Sequence, residues 1–304
     1  MSTDWHGAFD PHVREVLLLP CFFVSDLHGS VERYRKLFAA VAAERPRAVF
    51  LGGDLLPHTW NLAWTGCIPG EDFIVDFLVP GFARLRETLF PDPPRIFLIL
   101  GNDDPRACEK RVLAAAEGGV WEYLHVRRAR LAGFPVFGYA CVPPTPFLLK
   151  DWERYDVSRF VDPGCVSPEE GRRTVEVDEQ EIRYATIQKD LERLTGEEDL
   201  ECSILLIHSP PYRTNLDRAA LDGRKVDHVP LDVNVGSVAV RRLIEERGPR
   251  LCLHGHVHES ARLTGTWRDR IGRTLLFGAG HDGPELALVR FDACDPENAS
   301  RELL

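Results

Sequence analysis

The sequence lacks the features of a secreted, disulfide-rich or membrane-spanning protein. Its eight cysteines show no C-x-x-C and no paired spacing, and Cys21, Cys202 and Cys252 lie within or beside apolar strand-like runs. We therefore expect free, mostly buried thiols in a reducing cytoplasm. The longest apolar runs are far short of the roughly 20 residues that a membrane helix needs. No basic segment precedes an apolar one at the N-terminus, so we expect no signal peptide.

The sequence also lacks a surplus of positive charge. Its 304 residues include 47 acidic and 37 basic ones, which gives a net charge of −10. A protein that binds duplex nucleic acid over a broad face normally has a basic surplus, so we do not expect such binding, although a local basic groove stays open. Some of the acidic surplus is accounted for if carboxylates serve as metal ligands, since bound cations would offset their charge.

Apolar strand-like runs alternate with amphipathic stretches in the first part of the chain. The runs at 16–24, 47–52 and 95–101 are typical of buried strands, and the stretches at 30–44 and 105–117 are typical of helices. This βαβαβ order predicts an α/β layered fold with a largely parallel first sheet.

The second part of the chain continues with strands after a different kind of segment. Residues 141–200 are rich in proline at first and have a helical pattern only at 177–194, so we interpret them as an insertion over the core of a single domain, 1–304. Apolar runs predict further strands at 202–208, 249–255, 273–280 and 285–291. The last two suit an antiparallel ending.

Polar residues recur directly after five of the predicted strands. They are Asp26 and His28, then Asp54, Asn102 and His208, and finally His256 and His258. Each short motif alone is more often a turn or a surface histidine than a ligand. Ligand sites of open α/β sheets lie beyond the carboxyl ends of the strands, so the ordered set predicts one shared site.

The residue types in this set indicate a metal centre. Oxygen and imidazole ligands together suit Mn²⁺, Fe or Zn²⁺ better than Ca²⁺, which prefers oxygen alone. Seven ligands are more than one such ion needs, whereas two ions that share a bridging carboxylate would use them all. Two ions about 3.5–4 Å apart are the recurrent arrangement for phosphoester hydrolysis, in which a bridging hydroxide attacks the phosphorus.

The motifs DLH, GGD, GNDD, HSPP and GHVH, which follow one another over residues 26–258, resemble the calcineurin-like metallophosphoesterases. The resemblance implies a four-layer αββα sandwich, with two mixed β-sheets flanked by helices and a dimetal site at the carboxyl ends of the strands. It also implies two divalent ions, Mn²⁺ or Fe, with Zn²⁺ as a further choice. One ion would be held by Asp26, His28 and His258, the other by Asn102, His208 and His256, and Asp54 would bridge them.

The sequence departs from the family at Asp103, where many members have a histidine that protonates the leaving oxygen. An aspartate with an ordinary pKa of about 3.9 is ionised at neutral pH and repels phosphate. Three readings are open. Neighbouring charge keeps Asp103 protonated as the acid, or the residue turns away and a group such as His281 acts, or the leaving group needs little protonation.

We therefore expect a metal-dependent phosphoester hydrolase, with phosphodiesterase activity favoured. The expected catalytic residues are Asp103, Asn102 and His208. The alternatives are a phosphomonoesterase, a nuclease, and a non-catalytic regulatory or scaffold module that binds metal. The expected substrate is a small or nucleotide-like phosphoester; the natural substrate, the metal and the oligomeric state stay open.

Several weaker candidates surround this set. Lys150 and Arg213 are candidates for contact with an anionic substrate, although a plain surface role is more usual for such an arginine. The segment that contains Lys150 is either a lid or a partner contact. His254 is either a support for the neighbouring histidines or a core residue, and Asp104 either orients a neighbour or caps the following helix.

Overall fold

A computed structural model describes residues 18–57 and 72–304. The expectation about the N-terminus and one of the eight cysteines, Cys67, lie outside these residues. Within them, the other seven cysteines are thiols rather than disulfides, as predicted. Cys21 and Cys252 are buried, whereas Cys202 is exposed because it lies in the turn before a strand rather than within it. No helix in the two described ranges is long and apolar enough to cross a membrane.

The described residues form fourteen strands and seven α-helices. The strands are β1 (Pro20–Val24), β2 (Ala48–Gly52), β3 (Arg95–Ile99), β4 (Glu122–Tyr123), β5 (Arg127–Leu131), β6 (Phe134–Tyr139), β7 (Ile204–Ile207), β8 (Lys225–Val226), β9 (Val229–Pro230), β10 (Leu251–His254), β11 (Arg268–Ile271), β12 (Thr274–Gly278), β13 (Ala287–Asp292) and β14 (Ser300–Leu303). The helices are α1 (Val31–Glu44), α2 (Val79–Thr88), α3 (Glu109–Glu117), α4 (Glu179–Tyr184), α5 (Ile187–Thr195), α6 (Val238–Arg247) and α7 (Ser260–Thr264). A π-helical turn, Phe73–Leu78, leads into α2, and 3₁₀ turns occur at Arg106–Cys108 and Pro296–Asn298.

Twelve of these strands form two mixed six-stranded sheets. The first has the order β14-β13-β1-β2-β3-β4, and the second has the order β11-β12-β10-β7-β6-β5. Strands β1 to β4 are parallel, as are β12, β10, β7 and β6, while the outer strands are antiparallel. With helices flanking the sheets, this is the predicted α/β sandwich, and the largely parallel core of the first sheet is confirmed.

Aromatic side chains join the two sheets face to face. Phe50 of β2 stacks on Phe97 of β3 with ring centroids 5.2 Å apart, and it also contacts Phe291 of β13 at 5.9 Å. Phe277 of β12, in the second sheet, meets Phe291 at 5.9 Å. Burial of each such ring contributes about 1.5–3 kcal/mol to the free energy of folding. This shared core fixes how the strand ends of one sheet face those of the other.

The predicted antiparallel ending is confirmed, whereas one strand pair was missed. The runs at 273–280 and 285–291 both have antiparallel partners, β12 with β11 and β13 with β1 and β14, although β12 is also parallel to β10 and the two runs belong to different sheets. The pair β5 and β6 was not predicted. Strand β5 has the sequence RRARL, with four of five positions charged or small, so it lacks the apolar alternation that marks a strand.

The segment 141–200 lies against the core. Trp152, Ile187 and Leu191 from this segment are buried in the same apolar core as the sheets. The helical pattern predicted at 177–194 is divided between α4 and α5, because Ala185 is extended and the Thr186 hydroxyl accepts a hydrogen bond from the Lys189 amide, which starts a new helix.

Candidate metal centre

The seven polar residues predicted from the strand ends meet in one place. The potential ligand atoms of Asp26, His28, Asp54 and His258 all lie within 4.8 Å of one another, and so do those of Asp54, His208 and His256. Asp54 belongs to both groups. The segments after β1, β2, β7 and β10 supply these residues, so strands of both sheets contribute.

Asn102 joins the second group through its carboxamide. Its Oδ1 lies 3.2 Å from His208 Nε2, and the same nitrogen lies 3.2 Å from Asp54 Oδ2. His208 Nδ1 is 2.7 Å from the Gly52 carbonyl oxygen, to which it donates its proton. That bond directs Nε2 at the cluster, where its lone pair would bind a metal once the proton on Nε2 is lost; a hydrogen bond from the other ring nitrogen to a carbonyl is usual for a metal-binding histidine.

The first group also has the geometry of a cation site. His28 Nε2 and His258 Nε2 are 3.1 Å apart, and His258 Nε2 is 3.2 Å from Asp26 Oδ1. Asp26 Oδ2 is buried and has no hydrogen-bond partner within the described residues. A buried carboxylate oxygen without a partner is costly unless a cation or a donor meets it. The donor set therefore fits a divalent ion here.

The backbone of the cluster is held in an uncommon conformation. Asp26, His28, Asp54 and His256 have φ angles of 58°, 45°, 52° and 72°, in the left-handed region that L-residues visit at a cost. Hydrogen bonds between the loops maintain it, because the Asp26 amide donates to the Gly53 carbonyl at 2.9 Å and the His256 amide donates to Asp26 Oδ1 at 3.0 Å. The strain is held by surrounding structure, as is common at functional sites.

The charges of the cluster shift one another's pKa values. Burial alone would raise the pKa of Asp54, but the attraction of His208 outweighs it and lowers the value to about 2. Burial would lower the pKa values of His208 and His258, yet Asp54 and Asp26 respectively raise each to about 9. Burial lowers the pKa of His256 to about 3. Without a cation, protons on two imidazoles thus balance the buried carboxylates.

Comparisons with known proteins agree with this geometry. The family model described as calcineurin-like phosphoesterase matches residues 19–260. The chain belongs to the calcineurin-like phosphoesterase family. A comparison with curated proteins found no significant match.

Solved structures share the fold with this calcineurin-like phosphoesterase. One crystal structure is 15% identical and covers 95% of this chain and 99% of its own, with a TM-score of 0.57. TT1561 of Thermus thermophilus is 16% identical over 94% of this chain and 99% of its own, with a TM-score of 0.54. At these identities the likeness shows the fold alone.

Asp103 lies at the edge of the cluster and faces it. Its amide donates to Asp54 Oδ1 at 2.8 Å, its Oδ1 accepts from Asn102 Nδ2 at 3.1 Å, and its Oδ2 is 3.8 Å from His28 Nδ1. Burial and the nearby Asp54 carboxylate raise the pKa of Asp103 to about 7. This placement does not fit the reading in which the side chain turns away. His281 instead lies with its Nε2 2.9 Å from Glu285 Oε2.

The two predicted substrate contacts, Lys150 and Arg213, each have a partner of their own. The Lys150 side chain is fully buried, and its ammonium donates to the Thr145 carbonyl at 2.9 Å and pairs with Glu153. The exposed Arg213 guanidinium lies 5.1 Å from the centre of the Tyr212 ring. In this conformation the Lys150 ammonium bonds only within the interior of the 141–200 segment as far as its described contacts show. An ammonium enclosed in this way is not available to a substrate. Substrate contact by Arg213 stays a prediction.

The structure decides between the two roles that the sequence left open for each of two supporting residues, Asp104 and His254. Asp104 caps no helix; its carboxylate accepts the amides of Leu55, Leu56 and Gly101 at 2.9, 2.7 and 2.9 Å. His254 is fully buried and hydrogen-bonds the Ile207 carbonyl at 2.9 Å, directly before His208. The signal that sequence reasoning missed for Asp104 is its position three residues after the loop glycine Gly101, whose amide is open to a short acid side chain.

Glycine is required where these loops meet. A Cβ on Gly101 would overlap Asp54 Oδ1 and come 2.6 Å from His208 Nε2, so the loop after β3 can approach both side chains only without a side chain of its own. A methyl group there must push one of the two candidate ligands away.

We expect Gly101→Ala to weaken Mn²⁺ binding by at least about tenfold, the scale found for displaced support of metal ligands. Equilibrium dialysis with metal analysis measures the bound Mn²⁺. Gly133→Ala is the matched control, because a Cβ at Gly133 meets nothing within 4 Å. Equal Mn²⁺ affinity in the two variants would contradict the close approach of the loops.

Metal binding should release protons at neutral pH. The pKa values of His208 and His258 are raised to about 9 in the metal-free protein, so both rings are protonated at about pH 7 and must lose a proton to bind a metal. We expect about two protons released per pair of ions at about pH 7, fewer as the pH rises toward 9, and tighter binding over the same interval. Calorimetric titration with Mn²⁺ in buffers of different ionisation enthalpy measures the release. A binding heat that is independent of the buffer would contradict it.

Proposed function

We propose that this chain is a dimetal phosphodiesterase. The observation that carries the proposal is the pair of ligand groups that share Asp54. Membership of the calcineurin-like phosphoesterase family supports metal-dependent phosphoester hydrolysis, and the preference for diesters is our inference from the residues around the cluster. We propose Mn²⁺ or Fe as the bound ions, with Zn²⁺ as a further choice, because the donor set mixes oxygen and imidazole nitrogen.

The candidate ligands divide into two half-sites. Asp26, His28 and His258 form the first, Asn102, His208 and His256 form the second, and Asp54 belongs to both. Two bound divalent ions would supply Lewis-acid polarisation of the phosphoryl oxygens and a nucleophile at neutral pH. The single carboxylate of Asp54 contributes a candidate ligand to both half-sites. Asn102 adds an oxygen without adding charge, which limits the repulsion between the centre and an anionic substrate.

The side chain of Asp103 favours diesters over monoesters. Its pKa is about 7 in the metal-free protein, and bound cations would lower it, so the carboxylate form is present near neutral pH. A carboxylate at the edge of the site repels a dianionic monoester more strongly than a monoanionic diester, because the Coulomb energy scales with the charge. When it is protonated, its hydroxyl can donate to a leaving oxygen, as a general acid does. Diesters with good leaving groups need that proton least.

We also propose a cytoplasmic location and a small or nucleotide-like phosphoester as substrate. The seven described cysteines are thiols, which supports a reducing compartment. The net charge of −10 counts against broad duplex binding.

The proposal predicts that the Mn²⁺-loaded protein hydrolyses a bis-aryl phosphodiester faster than the matching aryl phosphomonoester. A chelator should abolish both activities, and renewed Mn²⁺ should restore them. Asp54→Asn should lose both ions and reduce turnover more than about 100-fold, since it removes a shared ligand rather than a supporting contact. Asp222→Asn, on the exposed surface, is the control. Metal binding without turnover of any phosphoester would favour a scaffold module, and faster monoester turnover would favour a phosphomonoesterase.

A second prediction concerns Asp103. Asp103→Asn should leave kcat for the bis-aryl diester within about threefold, because a good leaving group needs little help from an acid, whereas general acids contribute about 10²–10⁴-fold with poor ones. The same variant should lower KM for the aryl monoester, since the repelling charge is gone. Asp103→His should raise turnover of alkyl esters. Loss of all turnover in Asp103→Asn with unchanged metal content would show that Asp103 is essential even for activated diesters.

A further inference from the structure

A buried indole of the segment 141–200 contacts the loop after β3. Trp152 is 1% exposed, and its Nε1 donates to the Asp104 carbonyl at 2.7 Å. The ring of His125 packs edge-on to the indole with centroids 4.8 Å apart, and the Arg106 guanidinium lies 5.4 Å from the ring centre. The indole is therefore fixed on more than one side, and its only N–H is directed at the backbone two residues after Asn102.

Asp104 connects this contact to two candidate ligand loops. Its carboxylate accepts the Leu55 and Leu56 amides, which directly follow Asp54, and the Gly101 amide, which directly precedes Asn102. A side chain with this many buried amide partners adopts one position. The position of the Asp104 backbone therefore bears on both Asp54 and Asn102.

The neighbour of Trp152 strengthens the same contact. Asp151 Oδ2 accepts the Arg106 amide at 2.8 Å, and the Asp151 carboxylate also accepts the amide and hydroxyl of Thr174. Residues 104–106 are thus held by two consecutive residues of the 141–200 segment. This arrangement differs from a mobile lid, which needs few buried contacts at its base.

A second anchor of the segment leads to His208. Asp156 accepts the Ser237 hydroxyl at 2.6 Å and the Val238 amide at 2.6 Å at the start of α6. The Ser237 amide in turn donates to the Pro210 carbonyl at 2.8 Å, two residues after His208. Both anchors of the segment therefore end beside candidate ligands of the second half-site.

We propose that the 141–200 segment braces the second half-site, with Trp152 as a positioning residue for Asn102. The inference rests on the metal centre of the proposed function. The brace acts through backbone position and not through contact with a substrate. Trp152 bonds to the loop of Asn102, and Asp156 is joined through Ser237 to the loop of His208. Of the first half-site, only the shared Asp54 adjoins this network, so loss of Trp152 or Asp156 should weaken the second half-site more than the first.

The test replaces Trp152 with phenylalanine, which keeps an aromatic ring and removes the N–H. Trp121→Phe is the matched control, because Trp121 is 4% exposed and its Nε1 donates to the Val112 carbonyl at 2.9 Å, in helix α3. Each change is made in two backgrounds of the full chain. His28→Ala removes a ligand of the first half-site, so that Mn²⁺ binding to the second is measured. Asn102→Ala removes a ligand of the second half-site, so that binding to the first is measured. Calorimetric titration with Mn²⁺ gives the dissociation constants, and thermal unfolding of the metal-free proteins reports stability.

We expect Trp152→Phe to raise the Mn²⁺ dissociation constant about 3–10-fold in the His28→Ala background, the effect of one buried hydrogen bond. In the Asn102→Ala background, Trp152→Phe should change the Mn²⁺ dissociation constant by less than about twofold. Trp121→Phe should change it by less than about twofold in both backgrounds. An unchanged constant in the His28→Ala background would overturn the brace. So would equal weakening in both backgrounds, or an equal effect of Trp121→Phe.

A second pair of variants tests the other anchor and keeps the inference testable if Trp152→Phe fails to fold. Asp156→Ala should show the same preference for the second half-site. Asp178→Ala is its control, because Asp178 caps α4 in the same segment by accepting the Gln180 amide. Equal effects of the two alanine variants would overturn the brace. Absence of Mn²⁺ binding in the unsubstituted protein would overturn the metal centre itself, whereas binding there with no half-site preference in the variants overturns only the brace.

Discussion

The structure depends on the compensation of buried negative charge where the two sheets meet. Asp26 and Asp54 are nearly inaccessible to solvent, and each has a raised-pKa imidazole beside it, His258 and His208. Isolated carboxylates in such a place would be very costly, so the folded chain needs either protons on the imidazoles or cations between the ligands. The choice between these two states links metal binding to pH. It also explains why so many polar residues are tolerated at the edge of an apolar core.

The cluster also requires that the loops carrying the candidate ligands approach one another closely. Glycine and hydrogen bonds between the loops make this approach possible. The glycine before Asn102 lets the loop after β3 pass against Asp54 and His208. Asp104 then ties that loop to the one after β2 through backbone amides. Rigid loops of this kind keep charged side chains closer together than they would stay if they could move freely, and a preorganised site requires this.

Predictions from the sequence succeeded where a residue type has one usual role, such as apolar residues in buried strands or His and Asp as metal ligands. Apolar runs that end in Asp, Asn or His predicted both the parallel strands and the residues that meet beyond them. Sequence reasoning failed for β5, whose charged sequence hides a strand at the sheet edge, and it did not indicate that β12 and β13 belong to different sheets. Strand partners are set by packing over long chain distances, which a local pattern does not contain.

The surroundings of Lys150 show the same limit. Lysine is usually a surface residue, yet the Lys150 ammonium is buried, where it pairs with Glu153 and donates to the Thr145 carbonyl. Of the two roles open for Asp104, the structure favours the orientation of its neighbours over the helix cap, because its carboxylate joins two loops. The order and chemistry of the motifs by themselves determined the family, the α/β class and the seven residues of the cluster. Only the tertiary structure decided which polar groups face the cluster and which pair with each other, because that depends on the distances and burial created when the two sheets pack.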